Sequence, residues 1–339
     1  MSKMIWRVGG AVVLMVMCAA AQTAKPTAQN AAALKAKAEK GDAVAQYNLA
    51  SEYANGTGVK KSNSEAVFWF RKAAEQGLPS AEFALGQAYN FGLGLPQDYA
   101  KAAHWYLKAA DNGSARAALY LGQLYFFGQG VQKSYAQAVA WYRRAAEDGN
   151  AEAEGDLGLL YDLGKGVPKN YVQSAIWFRK AAMQGDASSQ NVLGSYYEFG
   201  QGVPQDYSES ATWYRKAADQ GFADAQFHLG LDYAKGQGVP QDFTQAAQWF
   251  QKAANQGNAD AEHNLGLLYE GGLGVPKDFD EAYFWLDIAA ARNPDPAKAD
   301  AFDKDRDEAA SHVAARKLSS VQERARKWFE EHAAKTPAQ

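Results

Sequence analysis

The chain has 339 residues, of which 22% are charged and 47% hydrophobic, and its formal net charge is −3. A mildly acidic chain without basic runs argues against nucleic acid as a partner, because binding to phosphates needs clustered positive charge. Cys18 is the only cysteine, which excludes disulfide bonds within the chain and a thiolate metal cluster.

Residues 1–21 have the pattern of a secretory signal peptide. Lys3 and Arg7 precede the apolar run 9-GGAVVLMVMCAAA-21, which ends in small residues. The run is too short to remain as a membrane anchor. We therefore expect cleavage after Ala21 and export, to the periplasm or the medium in a bacterial host. Residues 22–31 are small and polar, which is typical of a flexible linker.

A 36-residue period runs through most of the chain. Tryptophan, tyrosine, a single glycine and a Gly-x-Gly pair each recur seven times in the same register. The tryptophans are Trp69, Trp105, Trp141, Trp177, Trp213, Trp249 and Trp285. The sequence therefore predicts seven repeats over residues 41–293.

Each repeat has the pattern of two amphipathic helices. In the second repeat, Ala81, Leu85 and Tyr89 are four residues apart and line one helix face. Gly86 stands inside this helix, where glycine costs about 1 kcal/mol relative to alanine. We expect a backbone or a large ring to pack against it. Tryptophans bury large apolar areas, so we expect the tryptophan column to join the stacked repeats.

The predicted fold is an all-α, α/α solenoid (superhelix) of seven helix-turn-helix repeats with capping helices. Residues 32–40 are predicted as the N-terminal cap, and residues 294–339 as the C-terminal caps and tail. The closing helices are expected over residues 303–318 and 320–332, the second starting with a Ser320–Glu323 capping box. Asn293 replaces the usual helix-ending glycine and is expected in the left-handed conformation.

The repeat A-x-A-x-x-x-L-G-x-x-Y-x-x-G-x-G-V-x-x-D-Y-x-x-A-x-x-W-Y-x-K-A-A-x-x-G resembles the Sel1-like repeat, a relative of the tetratricopeptide repeat. The resemblance covers residues 41 to about 293, and the L-S-x-x-Q sequence from Leu318 is similar to the end of many bacterial members. It implies a helical adaptor in protein assemblies, often in secretory or envelope compartments. A cysteine-rich branch of the family has been linked to β-lactam binding or hydrolysis, but this chain lacks those cysteines.

Other kinds of site are less well supported. The Gly-x-Gly pairs follow a helix and recur in every repeat, so they predict turns rather than phosphate loops. His228 and His263 lie in adjacent first helices, and with Glu262 they could approach a surface metal ion. The alternative is that they are ordinary polar residues of the groove. We predict no catalytic residues, no cofactor and no metal.

Three variable columns of the first helices are the candidate binding residues, by analogy with the concave face of tetratricopeptide repeats. The first groove column follows the signature tyrosine and contains Phe126, Asp162 and Glu198. The second groove column comes next and contains Phe91, Phe127, Leu163 and Phe199. The third lies two residues before the signature leucine and contains Tyr47, Phe83 and Phe227. The rings suit anchors for a peptide or a partner helix. Alternatively, they pack between neighbouring repeats. Phe126 stands alone in a polar column and is the preferred anchor.

These observations predict an exported adaptor, without enzymatic activity, that binds a protein or peptide in its groove. The alternatives are a hydrolase acting on cell-wall or β-lactam substrates and a glycan-binding protein.

Overall fold

The computed structural model describes residues 28–293 and 295–333, which fold into helices joined by turns, without strands in these two ranges. The predicted leader, residues 22–27 of the predicted linker, Pro294 and residues 334–339 lie outside the described part. The chain divides into two units, residues 1–170 and 171–339, and each is described by itself. No helix in the described part is long and apolar enough to cross a membrane.

Unit 1 contains the helices α1 (Ala28–Glu39), α2 (Ala43–Asn55), α3 (Asn63–Glu75), α4 (Pro79–Phe91), α5 (Tyr99–Asp111), α6 (Ala115–Phe127), α7 (Tyr135–Glu147) and α8 (Ala151–Leu163). Unit 2 contains α9 (Tyr171–Met183), α10 (Ala187–Phe199), α11 (Tyr207–Asp219), α12 (Ala223–Lys235), α13 (Phe243–Ala254), α14 (Ala259–Gly271), α15 (Phe279–Arg292), α16 (Pro296–His312) and α17 (Ala315–Ala333). The even-numbered helices α2 to α14 are the first helices of repeats 1 to 7. The predicted all-α solenoid of seven helix pairs is confirmed.

Capping side chains and glycines set the helix ends. The second helices start behind a short polar residue; Asp98, for example, accepts a hydrogen bond from the backbone N–H of Lys101 at 3.0 Å. The first helices end at the first glycine of each Gly-x-Gly pair, as at Gly128 with φ of 75°. The second glycine, such as Gly130, lies against the backbone of Tyr99 and Ala100 in the preceding repeat. The turn interpretation of the Gly-x-Gly pairs is confirmed.

In repeats 2, 3, 5, 6 and 7 the glycine inside the first helix lies under a side chain of the second helix. A Cβ atom on Gly86 would be 2.6 Å from the ring of Tyr106. Tyr142, Tyr214 and Phe250 lie on the equivalent glycines of their own repeats in the same way. The expectation that a large ring packs here is confirmed.

The fully buried ring is thus the residue after the tryptophan. Trp105 and Trp141 are only partly buried, whereas Tyr106 and Tyr142 are fully buried. The tryptophans nevertheless join neighbouring repeats: Trp213 packs with Ala182 of the preceding repeat, and Trp249 packs with Ala217 and Ala218 of the preceding repeat. The prediction that the tryptophan column joins the repeats is confirmed. The exposed faces of the tryptophans are covered by basic side chains: Lys216 Nζ lies 3.8 Å from the ring centroid of Trp213.

In repeats 1, 2, 5, 6 and 7 a polar pair links a buried residue near the start of the first helix to a residue at the end of the second helix. In repeats 1, 5 and 6 two glutamines meet, as in Gln220 Nε2 donating to Gln190 Oε1 at 2.7 Å. In repeat 2, Asn112 donates to Glu82 at 2.9 Å, and in repeat 7 the pair is Arg292 and Glu262 at 3.0 Å. Both members change together, because a buried polar group needs a complementary partner.

These polar pairs also join neighbouring repeats. The side-chain amide of Gln190 donates to the carbonyl oxygen of Ala182 at 3.0 Å, and Gln226 donates to Ala218 at 3.1 Å. Arginines of second helices reach the signature tyrosine of the next repeat, as in Arg179 Nη2 to Tyr197 Oη at 2.6 Å. These bonds hold successive repeats in one register.

The helices at the two ends begin earlier than predicted. Helix α1 starts at Ala28, so residues 28–31 are helical rather than linker. Helix α16 starts at Pro296, with Asp295 as its N-cap. Ser320 lies inside α17 and donates to the carbonyl of Lys317 at 2.7 Å, so the predicted capping box was wrong. Asn293 has φ of −57°, so the predicted left-handed end was also wrong.

We expect Arg292→Ala to lower the free energy of unfolding by about 3 kcal/mol or more, because it leaves the fully buried Glu262 carboxylate without its cation. Burial already raises the pKa of Glu262, and Arg292 opposes that rise. The double variant Glu262→Gln, Arg292→Gln recreates the glutamine pair of repeats 1, 5 and 6 and should recover most of the loss. Urea unfolding measures both.

The control is Gln256→Ala, which breaks a neutral pair and should cost only about 1 kcal/mol. Equal losses for Arg292→Ala and Gln256→Ala, or no recovery in the double variant, would contradict the pairing argument.

Candidate functional site

Phe126, the preferred anchor, is not on the surface. It is 6% exposed, and its ring lies 5.1 Å from that of Tyr135 at the start of α7. Lys165 Nζ lies 5.8 Å from its ring centroid. The first groove column therefore points toward the turn between the two helices of a repeat. The selection of Phe126 as a surface anchor was wrong.

The second groove column is the exposed one. Phe127 is 39% exposed, Leu163 44% and Phe199 61%. Phe91 is partly buried and meets Tyr120 edge-on, with ring centroids 6.4 Å apart. In unit 1 the column is therefore an apolar row at the ends of α4, α6 and α8, which we call the ring row: Phe91, Phe127 and Leu163.

Residues of the third groove column are half-buried against the second helix of the same repeat. The ring of Tyr47 lies 5.6 Å from that of Phe70, Phe83 lies 5.8 Å from Tyr106, and Phe227 lies 5.9 Å from Phe250. Most of the surface of these three side chains is therefore used in packing within the protein, which is the alternative to an exposed anchor for a partner. Their remaining exposed surface forms part of the first-helix face.

In unit 1 the first-helix face is aromatic, with amide groups at its side. Phe83 also meets Tyr120 at 5.6 Å, which continues the ring surface toward the ring row. The Gln87 side chain lies near the Tyr120 hydroxyl, and Gln123 Nε2 donates to Glu152 at 3.2 Å. Such a surface offers apolar contacts together with side-chain amides that can bind a peptide backbone.

In unit 2, Asn191 and His228 stand at positions equivalent to Phe83 and Tyr120, although Phe227 keeps a ring in the column of Phe83. Glu198 is half-buried and accepts a hydrogen bond from Tyr214 Oη at 2.7 Å. The Tyr214 ring stacks on His228 at 4.8 Å with an interplanar angle of 8°. Burial lowers the pKa of His228, so its imidazole is neutral at neutral pH. Asp162, the acidic candidate in unit 1, is likewise partly buried.

Asp232 is a functional candidate that the sequence reasoning missed. It is 4% exposed, and Oδ2 has no hydrogen-bond partner. Burial raises its pKa to about 7, and the neighbouring charge of Glu198 adds to the rise. A signal was available in the sequence: the residue before the signature tyrosine is alanine or leucine in four other repeats (Ala88, Leu124, Leu160 and Leu268).

The two histidines considered for a metal have separate partners. His263 stacks on Phe302 at 4.1 Å and its Nε2 lies 2.8 Å from Asp305 Oδ2, both residues of α16. His228 faces Tyr214 instead. Within residues 28–293 and 295–333, no three His, Cys, Asp or Glu side chains converge in a way that could hold a metal ion.

Helix α16 also covers the start of α14. Lys298 Nζ lies 2.5 Å from Asp260 Oδ1, and Phe302 covers His263. The third groove column of repeat 7 is therefore occupied by the chain itself. In unit 2 the uncovered part of the first-helix face lies on α10 and α12.

The family model of the Sel1 repeat matches residues 43–78, 79–114, 115–150, 151–186, 187–222, 223–258 and 259–294. The chain belongs to this family, whose members are generally protein-interaction scaffolds.

Among solved structures, a Sel1 repeat protein from Oxalobacter formigenes is 37% identical, with TM-score 0.65 over 81% of this chain and 80% of that one. The Escherichia coli protein c5321, a protective antigen of uropathogenic strains, is 30% identical, with TM-score 0.57 over 91% and 80%. No curated protein matches significantly.

The raised pKa of Asp232 makes stability depend on pH in a defined direction. The folded chain holds this proton up to about pH 7, whereas an unfolded aspartate releases it near pH 3.8. Ionisation between these values therefore lowers the free energy of unfolding as pH rises, by of order 4 kcal/mol at most. Asp232→Asn removes this dependence.

We expect the stability difference between Asp232→Asn and the native chain to grow in favour of the variant from pH 4 to pH 7. Denaturant unfolding at several pH values measures it, and Asp219→Asn, at an exposed position of α11, is the matched control. A constant difference for Asp232→Asn would show that the carboxyl group is not protonated in the folded chain.

Proposed function

We propose that this protein is an exported, non-enzymatic adaptor that binds a protein or peptide partner on the first-helix face. The observation that carries the proposal is the ring row. Phe127 and Leu163 expose 39% and 44% of their surface, in equivalent positions of successive first helices. Exposed apolar side chains in a regular row, beside polar amides, are typical of a surface that is covered by a partner.

Family membership supports the adaptor role, because Sel1 repeat proteins are generally protein-interaction scaffolds. The proposal of export rests on the N-terminal sequence, in which two basic residues precede an apolar run that ends in small residues. The side chains that would make the contact are those of the ring row, with Gln87 and Gln123 beside them. The buried Phe126 ring packs against the ring of Phe127, with the two ring centroids 5.0 Å apart.

The double variant Phe127→Ser, Leu163→Ser should weaken partner binding about tenfold or more, because it removes two exposed apolar anchors without opening the core. The tagged full chain is expressed with its own leader, and its partner is identified by crosslinking and purified. Titration calorimetry then measures the dissociation constant of the purified partner.

The matched control is Phe68→Ser, which removes an equally exposed ring (49%) from the second helix α3. It should leave the dissociation constant unchanged. Unchanged binding by the double variant, or an equal loss in the control, would exclude the ring row as the binding surface.

For export, we expect N-terminal sequencing of the protein recovered from outside the cytoplasm to start at Gln22. Replacing Leu14 with arginine interrupts the apolar run and should keep the chain in the cytoplasm at full length. An unprocessed native chain in the cytoplasm would contradict the proposal of export and leave the adaptor role to be judged by binding alone.

A further inference from the structure

Unit 2 contains a group of side chains in which hydrogen-bond acceptors outnumber donors. We call it the acceptor cluster: Asn191, Glu198, Tyr214, His228 and Asp232. The Tyr214 hydroxyl donates to Glu198, which leaves the remaining lone pairs of that carboxylate available. Asn191 Oδ1 and Asp232 Oδ2 are buried and accept no hydrogen bond.

The repeat geometry shows that these atoms surround one ring. One repeat before Asp232, the equivalent Tyr196 bonds Ser174 at 2.8 Å and meets the ring of Phe178 at 5.9 Å. The 36-residue period therefore places Asp232 beside Tyr214 and Ser210. Electrostatic coupling of Asp232 to Glu198, and of Tyr214 to both carboxylates, agrees with this position.

Asn191 reaches the same ring from the other side. In the next repeat its equivalent, Phe227, lies 5.9 Å from Phe250, which is the equivalent of Tyr214. His228 stacks directly on the Tyr214 ring. The cluster is thus a polar version of the aromatic group formed by Phe83, Tyr106 and Tyr120 in unit 1.

Burial of a carboxyl group without a partner costs stability, and leucine occupies the position of Asp232 in three other repeats. Ser210 Oγ, 22 residues earlier on α11, is also buried without a partner. Two carboxyl groups and an amide oxygen give the site an excess of acceptors, and Lys235 is the cation whose charge acts on both Asp232 and His228. A guanidinium or ammonium group supplies further donors together with a positive charge.

Asn191, Glu198 and His228 are partly exposed on the first helices α10 and α12, whereas Asp232 is buried. Phe199, adjacent to Glu198, is 61% exposed and offers an apolar contact at the rim. A long side chain with a cationic end fits this arrangement of an apolar rim and an acidic floor.

We propose that the acceptor cluster is the subsite that receives an arginine or lysine side chain of the partner, with Phe199 contacting the partner residue next to it. This assignment rests on the proposed adaptor function. It adds that the recognised peptide carries a positively charged side chain.

The probe is the peptide acetyl-Ala-Arg-Phe-Ala-amide, titrated into the full chain and followed by calorimetry and by the His228 ring signals in NMR spectra. Saturable binding with displacement of these signals is expected. The peptide with citrulline, which keeps the shape of arginine without its charge, should bind at least about tenfold more weakly. A lysine peptide distinguishes guanidinium from ammonium recognition.

Asp232→Leu should remove binding of the arginine peptide while leaving the melting temperature equal or higher, since leucine is native at this position in repeats 3, 4 and 7. Glu198→Gln keeps the oxygen that accepts from Tyr214 and should weaken binding about tenfold. Glu209→Gln, at an exposed position of α11, is the matched control and should bind normally.

Three results would overturn the assignment: no saturable binding up to about 10 mM peptide, equal affinity for the arginine and citrulline peptides, or native affinity in Asp232→Leu. If the purified partner still depends on Phe127 and Leu163 in that case, the adaptor function stands and only the cation subsite is excluded. If the arginine peptide binds but no partner depends on the ring row, the cation subsite stands and the proposed adaptor surface is excluded.

Discussion

The contact between a glycine of the first helix and a side chain of the second helix is the constraint on which the repeats depend. At Gly86 a Cβ atom would lie 2.6 Å from the Tyr106 ring, so only glycine lets the ring lie directly on the helix. The same contact recurs in repeats 3, 5 and 6 with Tyr142, Tyr214 and Phe250. Because it fixes the distance and rotation of the two helices, equivalent positions in each unit have equivalent surroundings.

Polar contacts also fix the register of the helices within and between repeats. The polar pairs of repeats 1, 2, 5, 6 and 7 close those helix pairs, and the buried glutamine amides also donate to a carbonyl of the preceding repeat. With shape and register both held, the chain can vary the remaining first-helix positions without changing the fold. This freedom explains how one scaffold presents an aromatic face in unit 1 and an acidic cluster in unit 2.

The exposure of individual rings was harder to predict than the fold. Phe126 and Phe127 are neighbours in the sequence, yet the first is 6% exposed and the second 39%. One helical residue rotates a side chain by about 100°, so the difference depends on how the turn brings Tyr135 over Phe126. Ser320 and Glu323 have the spacing of a capping box, but α17 begins at Ala315, before Ser320. Asp232 was missed because its column holds alanine or leucine in four other repeats and was treated as core.

The sequence by itself determined the number of repeats, the type of their helices, the turns at the Gly-x-Gly pairs and the presence of a large side chain over the buried glycine. These properties follow from local periodicity and recur in at least six of the seven repeats, so single deviations do not obscure them. Only the tertiary structure decided that Tyr106 rather than Trp105 is the fully buried ring, and that Asp232 lies beside Tyr214. Both depend on contacts between residues that are far apart in the sequence, and no periodic pattern encodes which face of a helix the next helix will cover.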